Sequence, residues 1–581
     1  MPQRSGPVHV VTTTRHYNGK VYQSHLLRRS YRDGPHVRNE TLGNLSHLPD
    51  ALIDIIRRAL KGETFVPAAQ TFEIVASHAH GHVQAVTAAM KRLGLAALIA
   101  SRPCRERDLV LAMIAARVLD AAPKLATVRW WKTTTLPQTF AVEDADEQDL
   151  YGAMDWLLAR QDKIQVKLAA RHLDKRRALA LYDLTSSYFE GTTCPLARRG
   201  YSRDGKRGTL QVNYGLLTDE RGCPVAVSVH EGNTADPTTL MPQIERLKTD
   251  FAIERLVMIG DRGMISHKAV EAIKVRDGID WITALKTVAI RPLVEGGSLQ
   301  LDLFDERNLF ELTHPDYPGE RLVACRNPAL AELRRHKRAD LLAATSADLD
   351  KIKTRVAEGR LAGKARIGLA VGKIIDARKV AKHFVLDIAD AAFAFRLDQE
   401  KIDKEATLDG LYIIRTSVPA EHMDGADCVR HYKSLSQVER AFRSLKTVDL
   451  KIRPIHHRLE DRVRAHIFLC MLAYYVEWHM RDAWRPLLFA DEDQAAKLTR
   501  DPVAPAAVSQ GAAQKASRRT LDDGSPVHSF DTLIADLATV TQNTCRIPTA
   551  SYDDDTPPFN LATIPSPHQV RALDLINTIT P

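Results

Sequence analysis

Two short apolar runs, Ala178-Leu-Ala-Leu-Tyr-Asp183 and Arg255-Leu-Val-Met-Ile-Gly-Asp261, constrain the fold of this chain more than any other feature. Each is too short for an amphipathic helix and too continuously apolar for a sheet with one face in water, so each reads as a strand covered on both sides. Each also ends on an aspartate, and α/β sheets gather their chemistry at the carboxyl ends of their strands. Around these runs the hydrophobic period changes repeatedly. Residues 209–217 and 225–229 read as two strands joined at Asp219-Glu220-Arg221-Gly222, with a helix expected over 238–249, another over 267–276 and a further strand over 279–285.

A meander of three strands followed by strand, helix and strand is the order of an RNase H-like core, whose crossovers demand parallel pairing. The expected fold class is therefore α/β: such a core over 176–290 and 426–485, interrupted by a large mixed α/β insertion over 291–425. A small N-terminal β unit (1–50) precedes it, with a hairpin signal at Asn18-Gly19. Residues 51–175 read as a helical region, with Leu109, Ala112, Met113, Ala116 and Leu119 at spacings of three and four. Residues 486–581, with Ala- and Asp-rich segments and several prolines, read as a loosely ordered C-terminal tail holding one short apolar helix over 530–537.

Composition narrows the class. A chain of 581 residues, 44% hydrophobic and 26% charged, can bury a sizeable core, which excludes wholesale disorder. The longest apolar run, 467–478, falls well short of the roughly 20 residues a membrane span needs and contains Glu477, so no membrane association is expected. Seven cysteines lie far apart with no C-x-x-C pair, and no secretory leader is visible, so the expected location is cytoplasmic and nucleoid-associated. A net charge of +9 leans toward a polyanionic partner without requiring one.

Asp183 and Asp261 close strands that are expected to be neighbours. Two adjacent carboxylates repel unless a cation bridges them, and hard oxygen ligands of this kind suit Mg²⁺. Taken singly, each aspartate is as readily a strand cap; the pair, with the Asp261-Arg262-Gly263 turn and the Thr185-Ser186-Ser187 run, points to a site. A third element spaces Tyr432, Leu435, Glu439 and Lys446 along one helix. At about 100° per residue all four fall within roughly 60°, bordering an apolar set of Leu435, Val438, Phe442 and Leu445 that would face the sheet. Glu439 can then reach the aspartates; the alternative is the solvated face of an ordinary amphipathic helix.

Basic groups surround these positions. Between 432 and 466 there are nine Lys or Arg, Arg440 and Arg443 among them, against four acids, and the loop 198–207 adds Arg198, Arg199, Arg203, Lys206 and Arg207 against Asp204. Metal-binding carboxylates ringed by phosphate-binding cations are what phosphodiester chemistry requires. His456 and His457 read as phosphate contacts or surface histidines, and Trp130 and Trp131 as core packing in preference to base stacking.

The segments Tyr182-Asp-Leu-Thr-Ser-Ser-Tyr-Phe-Glu-Gly191, Glu231-Gly-Asn-Thr-Ala-Asp-Pro-Thr-Thr-Leu240, Gly260-Asp-Arg-Gly263 and Tyr432 to Lys446 resemble DDE transposases of bacterial insertion sequences. The likeness is to the group with a Y-x2-R-x3-E-x6-K signature, the IS-four superfamily and its sixteen-thirty-four branch. It runs over about residues 10–570 and includes Pro318-Gly-Glu-Arg321 and Leu408-Asp-Gly-Leu-Tyr412. The resemblance implies that Asp183, Asp261 and Glu439 are the catalytic and metal-binding triad, holding two Mg²⁺ ions with Mn²⁺ as a substitute. It also implies that Tyr432 and Lys446 contact phosphates of the transposon end. Arg440, Arg443, Arg199 and Arg203 are expected as further DNA contacts. The signature Arg is replaced by Leu435, which puts one contact in doubt, and Arg443 on the same helix could approach the same groove.

The implied partner is double-stranded DNA, as terminal inverted repeats and as target, held by a homodimer in the DNA complex. The implied reaction is metal-dependent strand cleavage followed by strand transfer. Recognition of the ends is expected from the N-terminal β unit and the helical region with Arg102, Arg105, Arg107, Arg129 and Lys132. Two alternatives remain at this point: an RNase H-like nuclease that cuts without joining, and a catalytically idle DNA-binding descendant of a transposase.

Overall fold

The computed structural model describes residues 5–63, 65, 72–206, 208–299, 304–505, 507–547 and 557–580. The chain forms two units, Met1–Ser77 with Asn543–Ala562, and His78–Gln542 with Thr563–Pro581. In the first, strands β1 (Val8–Tyr17) and β2 (Lys20–Asp33) pair antiparallel with Tyr17 opposite Lys20. That leaves Asn18 and Gly19 as a two-residue loop, and both take the positive φ (49° and 73°) that a tight hairpin turn matching strand twist requires. Strand β3 (His36–Asn44) completes the sheet, and a helix, Asp50–Leu60, follows. Next comes β4 (Glu73–Ala79), in a sheet with Thr541–Arg546 and Phe559–Ala562. This strand lies inside the stretch expected to be helical. Its partners come from the far end of the chain, so no local period announces them.

The second unit opens with packed helices from Gly81–Arg92 to Gln161–His172, of which Arg105–Leu119 is buried along most of its length. The sheet that follows contains β5 (Ala178–Tyr188), β6 (Arg198–Arg199), β7 (Leu210–Thr218), β8 (Pro224–Glu231), β9 (Leu256–Ile259), β10 (Ile279–Ala284), β11 (Leu309–Leu312) and β12 (Arg321–Arg326). A separate hairpin, β13 (Phe384–Ile388) and β14 (Phe393–Leu397), precedes the last strand of the sheet, β15 (Leu411–Thr416). The order is β11-β12-β15-β10-β9-β5-β7, with β8 and β6 on the outer edge of β7. Strands β5, β7 and β8 form an antiparallel meander, while β9 runs parallel to β5 and β10 parallel to β9. The crossovers are the helices Asp236–Thr249 and His267–Lys274. This is the strand order and sense of an RNase H-like core.

The insertion is not all separate from that core. Strands β12 and β15 pair antiparallel and continue the sheet beyond β10. The helices Pro328–Ala357 and Lys364–Arg378 and the β13–β14 hairpin form their own hydrophobic cluster around Leu349, Ile367 and Val371. The Pro318-Gly-Glu-Arg321 landmark has a structural role: buried Glu320 accepts from Nε and Nη2 of Arg415, each at 2.6 Å, and lies 3.2 Å from Lys274 Nζ, tying the insertion to a core helix.

The apolar run 467–478 lies in the helix Glu460–Ala483, buried on nearly every side, as a helix through the middle of a large protein must be. Among the described residues no helix is long and apolar enough to cross a membrane. Within 486–581, expected as a loose tail, described residues are instead folded: Phe530, Leu533, Leu537 and Ile576 join the main core, and Trp484 Nε1 donates to Ala572 O at 2.8 Å. Their sparse apolar groups pack on helices from elsewhere in the chain, which a composition reading does not register.

Candidate active site

Leu181 on β5 stands beside Ile259 on β9, so Asp183 and Asp261, each two residues further on, stand at the same level of adjacent parallel strands. Asp261 lies just past the end of β9, but Asp183 does not close its strand as expected: the Thr185-Ser186-Ser187 run pairs with β7 and carries β5 on to Tyr188. Asp183 Oδ1 accepts the Leu184 amide at 2.8 Å. Asp261 Oδ1 accepts the amides of Gly263 at 3.0 Å and Met264 at 2.6 Å, which fixes the carboxylate at the head of the turn. A Cβ on residue 263 would stand 3.3 Å from that oxygen, so the glycine keeps one side of the carboxylate open. Burial, joined by repulsion from Asp261, pushes the Asp183 carboxyl up to about 7, against the pull of Arg203. A carboxyl pair so short of positive charge, offering hard oxygen ligands, fits a divalent cation.

The helix Leu435–Arg443 packs against β5, with Val438, Ala441 and Phe442 buried and the Phe442 ring edge-on to Tyr214 at 6.0 Å between centroids. Glu439 lies on its exposed side. The Tyr432 hydroxyl is held up first by burial and then by the charges of Asp261 and Glu439, which places all three in one electrostatic neighbourhood. The single helix read from the sequence is interrupted twice. The helix Gly425–Lys433 ends at Ser434, and beyond Arg443 the chain takes a π-helical turn, Ser444–Val448. The Ser444 hydroxyl donates to Glu477 Oε1 at 2.9 Å and to Asp449, and Arg481 binds both of these acids. This wider turn carries Lys446 off the expected stripe. Its Nζ sits 3.0 Å from Asp204 Oδ1, where Arg453 also binds, and the Asp204 side chain is only 2% exposed.

Asp183 and Asp261 thus stand side by side, Tyr432 lies in the fields of Asp261 and Glu439, Arg203 acts on Asp183, and Lys446 is paired with Asp204, the residue after Arg203. The three carboxylates are not drawn into one closed ligand set: among the described residues, the set of three metal-capable side chains whose ligand atoms lie within 4.8 Å of one another is His172, Cys223 and His479, elsewhere in the core. That set lies in the fields of Arg221 and Arg171, which disfavour a cation there, and of Asp482, which favours one. Arg203 pairs with Asp236, and that acid also acts on Asp183. Arg199, Arg440 and Arg443 are exposed, and Arg207 lies outside the described residues. Sequence reasoning missed Asp236, Asp204 and Arg453. Asp236 was legible as the acid opening a helix ahead of Pro237, whereas Asp204 and Arg453 meet only through the fold.

The family model for the transposase DDE domain matches residues 176–476, more than half of the chain, and that for the IS1634 family transposase N-terminal domain matches residues 10–69. No curated protein matches. Among solved structures, piggyBac transposase in a synaptic complex with hairpin DNA is similar at 7% identity and a TM-score of 0.33, over 78% of this chain and 77% of that one; so loose a likeness carries no argument. With the sheet order and the two aspartates at one level of adjacent parallel strands as the independent physical ground, the chain belongs to the IS1634 branch of the insertion-sequence DDE transposases, DNA-cutting and strand-transferring enzymes that generally depend on a divalent metal.

Proposed function

We propose that Asp183, Asp261 and Glu439 are the catalytic carboxylates of this transposase and hold two Mg²⁺ ions, with Mn²⁺ able to replace them. The observation that carries the reading is the pair of aspartates at one level of adjacent parallel strands, with the Glu439 helix packed on one of those strands. Ions bound there would activate the attacking oxygen and offset charge on the leaving oxygen in an in-line displacement at phosphorus. The chain's own residues then have positioning work. The Asp261 carboxylate is oriented by two backbone amides, Asp183 is set beside it by strand register, and Glu439 approaches from the helix above β5.

Tyr432, next to Asp261, and Lys446, held by Asp204, are assigned to phosphates of the transposon end. Arg199, Arg203, Arg440 and Arg443 supply charge along the DNA path, and residues 1–175 supply recognition of the terminal repeats. Cutting two ends and joining them to one target calls for a homodimer on the DNA. The test is a Mn²⁺ titration by calorimetry together with a gel shift on end DNA. Asp183→Asn, Asp261→Asn and Glu439→Gln should each lose metal binding while keeping end binding, and undiminished metal binding in all three would sink the assignment.

A further inference from the structure

Apart from the carboxylates, the second unit contains a buried group of cations with no counter-charge. Arg117, in the last turn of Arg105–Leu119, is 6% exposed, and Lys124, the first residue of Lys124–Trp131, is 5% exposed. Among the described residues neither makes a hydrogen bond or an ion pair. Beside them His466, on the Glu460–Ala483 helix, points Nε2 at Ile452 O (3.3 Å) and leaves Nδ1 buried without a partner. The His457 ring lies 5.0 Å from that of His466, with the Tyr151 ring edge-on to its other side and Arg462 over Tyr151. The side chains acting on His466 are His457, Arg117 and Lys124, all basic, and those acting on Lys124 are Arg117 and the Cys470 thiol.

Every other buried cation–carboxylate contact described above is closed by geometry, as in Arg415 with Glu320 and Arg481 with Glu477. Burying a cation without an acid is strongly unfavourable, so such a cluster is stable only if it loses its charge or receives an anion. His457, half-buried, brings the cluster to the edge of the surface. The cluster is also connected to the strand of the first aspartate. Glu190 donates its amide to Ile455 O at 2.9 Å and Phe189 bridges Ile455, so the segment that carries His457 is laced to the end of β5, the strand of Asp183.

We propose that Arg117, Lys124, His457 and His466 form a phosphate-binding recess that receives one backbone phosphate of the end DNA as the strand leaves the carboxylates. The identity of the strand rests on the triad reading above; the recess itself does not.

The test uses the full-length protein. Inorganic phosphate should raise its melting temperature relative to chloride at equal ionic strength, and Lys124→Met, which keeps the stem and removes the charge, should abolish that rise. In gel shifts on end DNA the same variant should bind about tenfold more weakly, and the slope of log affinity against log salt should fall by about 0.9, the loss of one phosphate contact. His457→Gln, at the half-buried mouth, provides a second variant and should show a smaller loss in the same direction. Asp183→Asn should leave both readouts unchanged, which separates this recess from the triad. A Lys124→Met protein with unaltered affinity and salt slope overturns the proposal in favour of a neutral core lysine. A phosphate-dependent melting rise without any change in DNA binding overturns it as an adventitious ion only.

Discussion

Asp183→Asn should make the metal-free protein more stable, not less. Burial beside Asp261 takes the carboxyl from its ordinary 3.8 to about 7, roughly three decades in proton affinity and, at about 1.4 kcal/mol per decade, at most ~4 kcal/mol. Partial solvent access reduces this to about 2–4 kcal/mol. The sign follows from linkage. The folded state binds the proton more tightly than the unfolded one, so the cost of the charged carboxyl grows as pH rises from about 4 and is complete above about 7. Asn carries no such cost and retains an oxygen for the Leu184 amide. Urea unfolding in EDTA at pH 8 should therefore show the variant more stable by that margin, with the gap closing as pH is lowered toward 4. Mg²⁺ should also narrow the gap at pH 8, because the ion binds the charged wild-type carboxyl. Equal or lower stability of the variant at pH 8 in EDTA would refute the reasoning.

Other expectations are as direct. Glu320→Gln strands the buried Arg415 guanidinium and should cost about 3–5 kcal/mol in chemical unfolding. Ser444→Ala removes the hydroxyl bridging Glu477 and Asp449 in the π-turn and should cost about 1–3 kcal/mol in the same assay, with weaker end binding in a gel shift as Lys446 loses its place. Gly263→Ala puts a methyl group against Asp261 and should lower cleavage by an order of magnitude or more in a single-turnover assay, while gel shifts stay unchanged.

The sequence carried the parts of the fold whose cause is local. Continuous apolar runs announced β5 and β9 and put Asp183 and Asp261 at one level, although β5 runs on past Asp183 by pairing its polar residues with β7, and the spacing of Val438, Phe442 and Leu445 marked the face of the glutamate helix that is buried. What escaped depends on partners distant along the chain. Strand β4 pairs with a strand near the C-terminus, β12 and β15 extend the core sheet by pairings that no local pattern encodes, and residues beyond 486 bury isolated side chains on helices from elsewhere. The π-turn escaped for the same reason. It is held by Glu477 and Arg481, a helix away, and a uniform 100° step therefore placed Lys446 on the wrong bearing. Asp204, the acid that receives Lys446, looked like one charge among many in a basic loop.

Whether the three carboxylates form one metal-dependent centre for cutting and joining DNA is decided by single-turnover cleavage and joining of a labelled linear DNA bearing the element's own ends, in Mg²⁺ and in EDTA, with wild type beside Glu439→Gln. Metal-dependent nicks followed by joined products are expected for wild type and neither for the variant, with end binding equal in both. Joined products from Glu439→Gln, or from wild type in EDTA, would contradict such a centre.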